Sequence, residues 1–256
     1  YLLLSNPETK IYENCFKNCF NLITFSVPQS VISIENCSFF GCSQLTSVTI
    51  PSSVKLIGNA AFSECKLLKS ITIPSSVMLI GDYSFKKCAS LEQLEIPSSV
   101  TKIGKGAFND CSSLKNIIIP STITVFRDFL FNGCSSLTEI TIPSSVTEIG
   151  SYVFSLCSKL SEITIPSSVT IIKESLFSGC FSLEKINISS SVTKICSYAF
   201  YQCSSLKNFE IPQSTTTIDD FAFSKCSSLD EISIPSSVTE IGNSIFENCS
   251  SLKKIE

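Results

Sequence analysis

Cysteine is the residue whose type and spacing most suggest chemistry in this sequence. Eleven of the 14 cysteines recur every 23 residues from Cys19 to Cys249, while Cys15, Cys37 and Cys196 lie outside the series. If each period forms one coil of a stack, neighbouring cysteine α-carbons would be about 5 Å apart, which is within the disulfide range. Each thiol would then have two equivalent neighbours, and a buried free cysteine behaves as a small hydrophobic side chain. The series therefore favours reduced packing thiols.

The residue types that most other site chemistry needs are missing. The sequence contains no His, so Ser-His-Asp and Cys-His arrangements are unavailable, as is the commonest side chain for zinc. Cys15 and Cys19 could share a metal ion, but no paired C-x-x-C motifs accompany them. We predict no metal site, no cofactor and no enzyme activity.

Composition excludes two further classes of protein. Hydrophobic residues make up 43% of the 256 residues and charged residues 16%, so the chain can bury a large core. The net charge of −3 lacks the basic excess of a nucleic-acid-binding protein. No apolar run approaches the 18 or more residues that span a bilayer. We predict neither a nucleic-acid partner nor a membrane span in this chain.

The elements that position these residues repeat with the same period. Phe recurs eleven times from Phe16 to Phe246, Leu recurs eleven times from Leu22 to Leu252, and no insertion breaks the register. One 23-residue unit cannot bury its own apolar side chains, whereas a stack of such units buries them in continuous columns. We therefore predict one solenoid domain over residues 1–256, with about eleven coils.

Each unit contains a short strand followed by a turn. In residues 137–142, Ile140 and Ile142 alternate with polar residues, which predicts a half-buried strand. Pro143 ends the strand because it has no N–H to donate, and the two serines after it suit a turn. Residues 146–149 are expected to form a second short piece, either extended or 3₁₀, and Gly150 to supply a backbone angle that other residues resist.

The last part of the unit has a different spacing. Ala107 and Phe108 are followed by Cys111, so apolar residues stand at i and i+3, as they do in one turn of a helix. The fold class that follows is an α/β-type repeat solenoid. It has a parallel β-sheet on one face and short helical turns on the other.

The motif L-x-x-I-x-I-P, followed by V-T-x-I-G and A-F-x-x-C, resembles the BspA-like, or Treponema-type, leucine-rich repeats over essentially the whole chain. The resemblance implies a curved leucine-rich repeat array with a parallel sheet along one side, and no catalytic activity. It also implies a cell-surface or secreted protein of bacteria or protozoan parasites. The roles implied are adhesion to host or extracellular-matrix proteins and cell aggregation.

Both ends of the sequence fall inside the repeat. Leu2 and Leu4 match the register of the two strand isoleucines, and Ile255 stands in the same element. Repeat arrays need polar terminal caps, which neither end supplies. We expect a segment cut from a longer array, either monomeric or in end-to-end contact through its uncapped termini.

The outward positions of the repeated strand are the first candidate binding surface. These positions vary from coil to coil while the apolar columns stay nearly fixed, which suits a surface that recognises a protein ligand. An equally open alternative is a solvated face that varies because nothing constrains it. The candidate residues are Glu95, Asn116, Ile118, Glu139, Thr141, Glu162, Thr164, Lys185 and Asn187. Glu139 and Glu162 would lie on adjacent strands and repel each other, which favours a basic partner or a bound cation.

An aromatic stripe is the alternative binding surface. Its members stand two residues before the repeated Phe: Tyr83, Phe129, Tyr152, Tyr198 and Phe221. Aromatic residues with a polar tip are typical interface anchors. The pattern nevertheless favours a structural role, in which each ring covers the adjacent coil.

Two functions remain open at this point. The first is a protein-binding module of a cell-surface or secreted protein, in which adhesion is implied by the resemblance alone. The second is an intracellular scaffold or regulator in the cytoplasm that binds a cytosolic partner. Free cysteines favour a reducing compartment and hence the second function.

Overall fold

The computed structural model describes residues 9–256, and two stacks of short parallel strands run along it. The strand register predicted at Leu2 and Leu4 lies outside the described residues. Every coil contributes up to two strands, numbered here in chain order. Each strand pairs with the equivalent strand of a neighbouring coil, 22 or 23 residues away. All the pairs are parallel, which confirms the parallel solenoid.

Sheet 1 is formed by the strands that follow the repeated leucine. These are β2 (Thr24–Ser26), β4 (Ser47–Thr49), β7 (Gln93–Glu95), β9 (Asn116–Ile118), β12 (Glu162–Thr164), β14 (Lys185–Asn187), β16 (Asn208–Glu210), β18 (Glu231–Ser233) and β20 (Lys254–Ile255). They form the ladders β2-β4, β7-β9, β12-β14 and β16-β18-β20. The equivalent segments 70–72 and 139–141 form no strand, which separates β4 from β7 and β9 from β12, and β14 and β16 are not paired with each other.

Sheet 2 is formed by the second extended piece of each unit, for which a strand or a 3₁₀ turn was predicted. Its strands are β1 (Thr9–Ile11), β3 (Val31–Ile34), β5 (Leu56–Ile57), β6 (Leu79–Ile80), β8 (Lys102–Ile103), β10 (Val125–Phe126), β11 (Glu148–Ile149), β13 (Ile171–Ile172), β15 (Lys194–Ile195), β17 (Thr217–Ile218) and β19 (Glu240–Ile241). They pair as β1-β3-β5-β6-β8, β10-β11 and β13-β15-β17-β19.

The predicted helical turns are wrong, because residues 9–256 contain no helix. The A-F-x-x-C segment is instead a run of β-turns. In one coil, the N–H groups of Leu130, Asn132 and Cys134 donate to carbonyl groups three residues earlier in the same coil. The alternate N–H groups of Phe129 and Gly133 donate to the next coil. A helix would require every N–H to bond four residues back within its own coil.

The backbone of this segment also excludes a helix. Phe129 and Gly133 have φ values of 60° and 74°, and the equivalent residues of the other coils are left-handed too. Such residues suit the third position of a type II turn and interrupt right-handed helical geometry. The i and i+3 spacing of apolar residues was interpreted as one helical turn. It could not distinguish a helical turn from consecutive β-turns that point the same residues inward.

The core consists of columns of identical side chains. The rings of Phe131 and Phe154 are fully buried, with centroids 5.9 Å apart and planes inclined by 13°, and this stacking continues from Phe16 to Phe246. The thiol of Cys134 donates a hydrogen bond of 3.2 Å to the carbonyl of Phe108. Fully burying a side chain such as Phe stabilises a fold by about 1.5–3 kcal/mol. Stacking therefore makes the columns the main source of stability.

The polar residues of the motif connect successive coils by hydrogen bonds. The hydroxyl of Ser145 donates to the carbonyl of Ile123 at 2.8 Å, and the hydroxyl of Thr147 donates to the carbonyl of Thr124 at 3.3 Å. Equivalent serines and threonines make the same bonds along the stack. The P-S-S-V-T sequence thus recurs because its hydroxyl groups bind backbone carbonyl groups of the preceding coil.

Gly150 is needed for a different reason from the one predicted. Its φ is not in the left-handed region. A Cβ atom on Gly150 would lie 2.6 Å from the backbone nitrogen of Asp128 in the preceding coil. The position requires glycine for close approach of two backbones, and the unusual backbone angles lie elsewhere in the unit.

Candidate functional site

The outward side chains of sheet 1 form a continuous polar surface, called here the sheet-1 face. It comprises the second and fourth residues after each repeated leucine, since the third residue turns into the core. All nine residues predicted from the sequence are exposed on this face: Glu95, Asn116, Ile118, Glu139, Thr141, Glu162, Thr164, Lys185 and Asn187. The alternation of strands β9, β12 and β14 therefore places the predicted side chains on one surface.

Strand pairing sets the neighbours of Glu162. Strands β12 and β14 pair Glu162 with Lys185 and Thr164 with Asn187. Lys185 Nζ lies 3.0 Å from Glu162 Oε1, and Asn187 Nδ2 donates to Thr164 Oγ1 at 3.1 Å. The predicted repulsion around Glu162 is therefore already offset within the chain by Lys185. No external cation is needed at that position.

The charges of Glu95 and Glu139 remain uncompensated. Within residues 9–256, neither carboxylate forms an ion pair. Strands β7 and β9 pair Glu95 with Ile118, and Glu139 stands in the coil after Ile118. The two free carboxylates thus lie on opposite sides of Ile118, about two strand spacings, or roughly 10 Å, apart across the sheet.

Ile118 is the single apolar residue among the outward side chains of the sheet-1 face in residues 9–256, and 56% of its surface is exposed. It separates two shallow grooves. One groove has a volume of about 500 Å³ and contains Glu95 in its lining, and the other has a volume of about 690 Å³ and contains Glu139. Asn116 and Ile118 line both grooves. An apolar ridge with an acidic groove on each side is the most distinctive feature of the face.

The five aromatic residues of the alternative stripe occupy the first turn of their coils. Their φ values lie between 54° and 62°, in the left-handed region. The rings of Phe129 and Tyr152 are parallel, with centroids 4.8 Å apart, and those of Tyr198 and Phe221 are 5.0 Å apart. Ring faces that stack on each other are occupied, which supports the structural role of the stripe.

Other contacts of the stripe also support a structural role. The hydroxyl of Tyr152 donates to Glu174 Oε1 at 2.7 Å, and this bond raises the pKa of Tyr152. Lys105 Nζ lies 5.1 Å from the centre of the Phe129 ring. The sequence analysis missed this lysine, whose 24-residue separation from Phe129 is one more than the repeat.

A comparison with known families identifies the type of repeat. A family model described as the BspA type leucine rich repeat region, spanning six copies, matches residues 9–138 and 124–253. The chain belongs to the BspA-type leucine-rich repeat family. This confirms the resemblance that the L-x-x-I-x-I-P motif carries. A comparison with curated proteins finds no match.

Several solved structures are similar to this BspA-type chain. A leucine-rich repeat protein from Bacteroides ovatus is 28% identical with a TM-score of 0.56, covering 96% of this chain and 82% of that one. A leucine rich cell surface protein from Faecalibacterium prausnitzii is 29% identical with a TM-score of 0.56, covering 97% and 82%. A leucine-rich repeat protein from Eubacterium ventriosum is 25% identical with a TM-score of 0.60, covering 90% and 83%.

The thiols of the BspA-type repeats are packed in the core. Of the eleven in the series, ten are buried and free, and Cys19 is exposed. Burial raises the pKa of Cys42 to about 11 and that of Cys111 to about 12. A thiol held in its neutral form is a poor nucleophile and a poor metal ligand. In the described part of the chain, no three Cys, Asp or Glu side chains are grouped to hold a metal ion.

The described residues include no helix that could span a membrane. The sheet-1 face displays carboxylates, amides, hydroxyls, lysine ammonium groups and one apolar side chain at the spacing of parallel strands, about 5 Å.

Proposed function

We propose that this BspA-type chain is a non-catalytic protein-binding domain of a cell-surface or secreted protein, and that it serves adhesion to host or extracellular-matrix proteins. The observation that carries the proposal is the contrast between the two sides of sheet 1. Inward positions repeat Ile, Leu, Val or Phe, while outward positions change from coil to coil. A rigid scaffold with a variable exposed face loses little conformational entropy on binding a partner.

The proposed location at the cell surface is supported by one similar protein. The Faecalibacterium prausnitzii protein named as a leucine rich cell surface protein is 29% identical to this chain over nearly its whole length. No similar structure named above is described as an enzyme. Together with the absence of His from the sequence, this supports a binding domain in which all the coils act as one repeat array.

Blocking the sheet-1 face tests the proposal. Thr141 and Thr164 are exposed on this face, whereas Thr147 and Thr170 are exposed on the other side of Pro143 and Pro166, beside sheet 2. Replacing both threonines of one pair by Arg adds the same bulk and charge to either surface. Binding of the purified chain to immobilised fibronectin, laminin and collagen is measured by biolayer interferometry.

The proposal predicts that at least one matrix protein binds the wild type. The Thr141→Arg and Thr164→Arg double variant should lose that binding, and the Thr147→Arg and Thr170→Arg control should keep it. Loss of binding only in the control would assign function to the sheet-2 side. Loss only on replacing Tyr152 and Tyr198 by Ala would assign it to the aromatic stripe.

An intracellular scaffold is the second candidate, favoured by 14 free cysteines. Ten of these are shielded in the core, and they would stay reduced in an oxidising compartment as well. Capture of a cytosolic protein by the wild type, with no binding to any matrix or surface protein, would support this candidate over the first.

A further inference from the structure

Ile118 and its two flanking carboxylates differ from the rest of the sheet-1 face. Glu162 is paired with Lys185, and Glu92, beside the face, lies 3.1 Å from Lys115. Among residues 9–256, Glu95 and Glu139 form no ion pair, and Ile118 exposes 56% of its surface between them. An exposed apolar side chain flanked by uncompensated charges of one sign is complementary to a partner with an apolar group flanked by charges of the opposite sign.

The strand register gives the spacing that such a partner must have. Glu95 and Ile118 are opposite each other on neighbouring strands, and Glu139 is one coil further and two residues nearer the repeated leucine. Glu95 and Glu139 are separated by two strand spacings across the sheet and by two residues along the strand direction. Their α-carbons are therefore about 12 Å apart. Ile118 lies between them.

We propose that Ile118 is the centre of a docking site for an extended protein segment in which one apolar residue is flanked by Lys or Arg at two residues on either side. In an extended chain, residues i, i+2 and i+4 point to one face, and i and i+4 are about 13 Å apart. The apolar side chain covers Ile118, and each cation enters one of the two grooves to meet Glu95 or Glu139. The inference rests on the proposed binding function and specifies the partner.

The grooves strengthen this recognition. The groove of about 500 Å³ contains the uncompensated carboxylate of Glu95, and the groove of about 690 Å³ contains that of Glu139. A cation inside a groove is less screened than one on an open surface, so it is attracted more strongly. A segment with acidic flanks would meet like charges at the same positions, which gives the site a means of discrimination.

A peptide probe tests the inference directly. The probe is a fluorescein-labelled nonapeptide, Gly-Ser-Lys-Ser-Leu-Ser-Lys-Ser-Gly, titrated with the whole chain in a fluorescence anisotropy experiment. Three control peptides change one property each: Glu in place of both Lys, Ser in place of Leu, and the same composition with adjacent lysines. We expect the probe to bind with a Kd below about 1 mM. Each control peptide should bind at least about tenfold more weakly.

Three protein variants test the contribution of these residues. The double variant Glu95→Gln and Glu139→Gln should raise the Kd of the probe about tenfold, and Ile118→Ser should raise it about fivefold. The control is Glu210→Gln with Glu231→Gln, because these carboxylates are also exposed on sheet 1 and neither forms an ion pair within residues 9–256, although Lys254 lies opposite Glu231. It should leave the Kd unchanged, since no exposed apolar residue stands between them. Thermal melting of each variant checks that the fold is retained.

Several outcomes would overturn the inference. These are no binding of the probe, equal binding of the acidic or shuffled peptide, or equal loss in the control variant. Failure of this inference can be distinguished from failure of the proposed function. If Thr141→Arg with Thr164→Arg abolishes binding of a matrix protein while Ile118→Ser does not, the face binds protein but not through this site.

Discussion

Asp128 Oδ1 accepts a hydrogen bond from the backbone N–H of Ser151 in the next coil, with an N···O distance of 3.0 Å. Gly150 lies against the same carboxylate, where a Cβ atom would be 2.6 Å from Oδ1. The arrangement recurs wherever Asn or Asp stands at this repeat position and the glycine position of the next coil is among the described residues. The pairs are Asn36 with Gly58, Asn59 with Gly81, Asp82 with Gly104, Asp128 with Gly150 and Asp220 with Gly242. Where Ser151 or Lys105 holds the position, the next coil carries a side chain in place of glycine.

This relationship predicts the effect of adding a methyl group. Gly150→Ala should destabilise the chain by about 1–3 kcal/mol, because the new Cβ overlaps backbone and carboxylate atoms of the preceding coil. The free energy of unfolding from a urea titration measures this. Arg127→Ala is the control, since Arg127 holds the same repeat position after Lys105 and is exposed. It should change stability by less than about 0.5 kcal/mol.

The coupling between the two residues is a separate prediction. In the Asp128→Ser background, Gly150→Ala should cost less than it does in the wild type, because the clash with Oδ1 is removed. A double-mutant cycle should give an interaction energy of at least about 0.5 kcal/mol. Strict additivity of the two changes would show that the recurring pairs reflect the sequence pattern alone and not a physical contact.

The stacked aromatic residues should matter for stability and not for binding. Tyr152→Ala removes the stacking on Phe129 and the hydrogen bond to Glu174, and should cost about 1–2 kcal/mol. Tyr152→Phe keeps the stacking and should cost about half as much. Thermal unfolding measures both. Binding of a matrix protein should be unchanged in Tyr152→Phe. Loss of binding in this variant would indicate that the aromatic stripe is the binding surface.

Buried thiols predict a loss of stability at alkaline pH. Burial raises the pKa of Cys42 to about 11 and of Cys111 to about 12 from an ordinary value of 9.0. The folded state therefore holds these protons after the unfolded state has released them. The stabilisation is complete below pH 9 and is lost as the pH rises through 9 towards the folded pKa, by up to about 1.4 kcal/mol per pH unit for each thiol.

A single substitution isolates this effect from the titration of Lys and Tyr. Cys111→Ala should be less stable than the wild type at pH 7, because the sulfur leaves a cavity. Between pH 9 and 11 its unfolding free energy should fall less steeply, so the two curves should converge. Parallel curves would show that Cys111 does not hold its proton in the folded state.

Lys185 should limit the acidity of the sheet-1 face. The Lys185–Glu162 pair is exposed, with 63% and 56% of the side-chain surfaces accessible, so Lys185→Gln should change stability by less than about 1 kcal/mol. It frees Glu162, and the affinity for the Lys-Ser-Leu-Ser-Lys probe should rise about twofold to threefold at low salt. The gain should disappear in the Lys185→Gln and Glu162→Gln double variant. No gain in the single variant would mean that the probe is held too far from Glu162.

Much of the fold follows from the period alone. Eleven repeats of Phe, Leu and Cys at one spacing leave no arrangement that buries them except a stack of coils. The alternation at 137–142 predicted which side chains face outward, and the predicted residues from Glu95 to Asn187 are all exposed. The stacking of Phe129 on Tyr152 and of Tyr198 on Phe221 supports a packing role for the aromatic stripe, because residues one period apart are neighbours in a stack.

The sequence by itself thus determined the stacking, the parallel pairing and the two sides of each strand, since these depend on periodicity and on which residues avoid water. Only the tertiary structure decided how each coil closes and which charges are compensated. The backbone at Phe129 and Gly133 is left-handed, and the N–H groups of these two residues donate to the next coil. Lys185 neutralises Glu162 and leaves Glu139 free. Such outcomes depend on distances of a few ångströms between residues 23 or more positions apart, which local propensity does not encode.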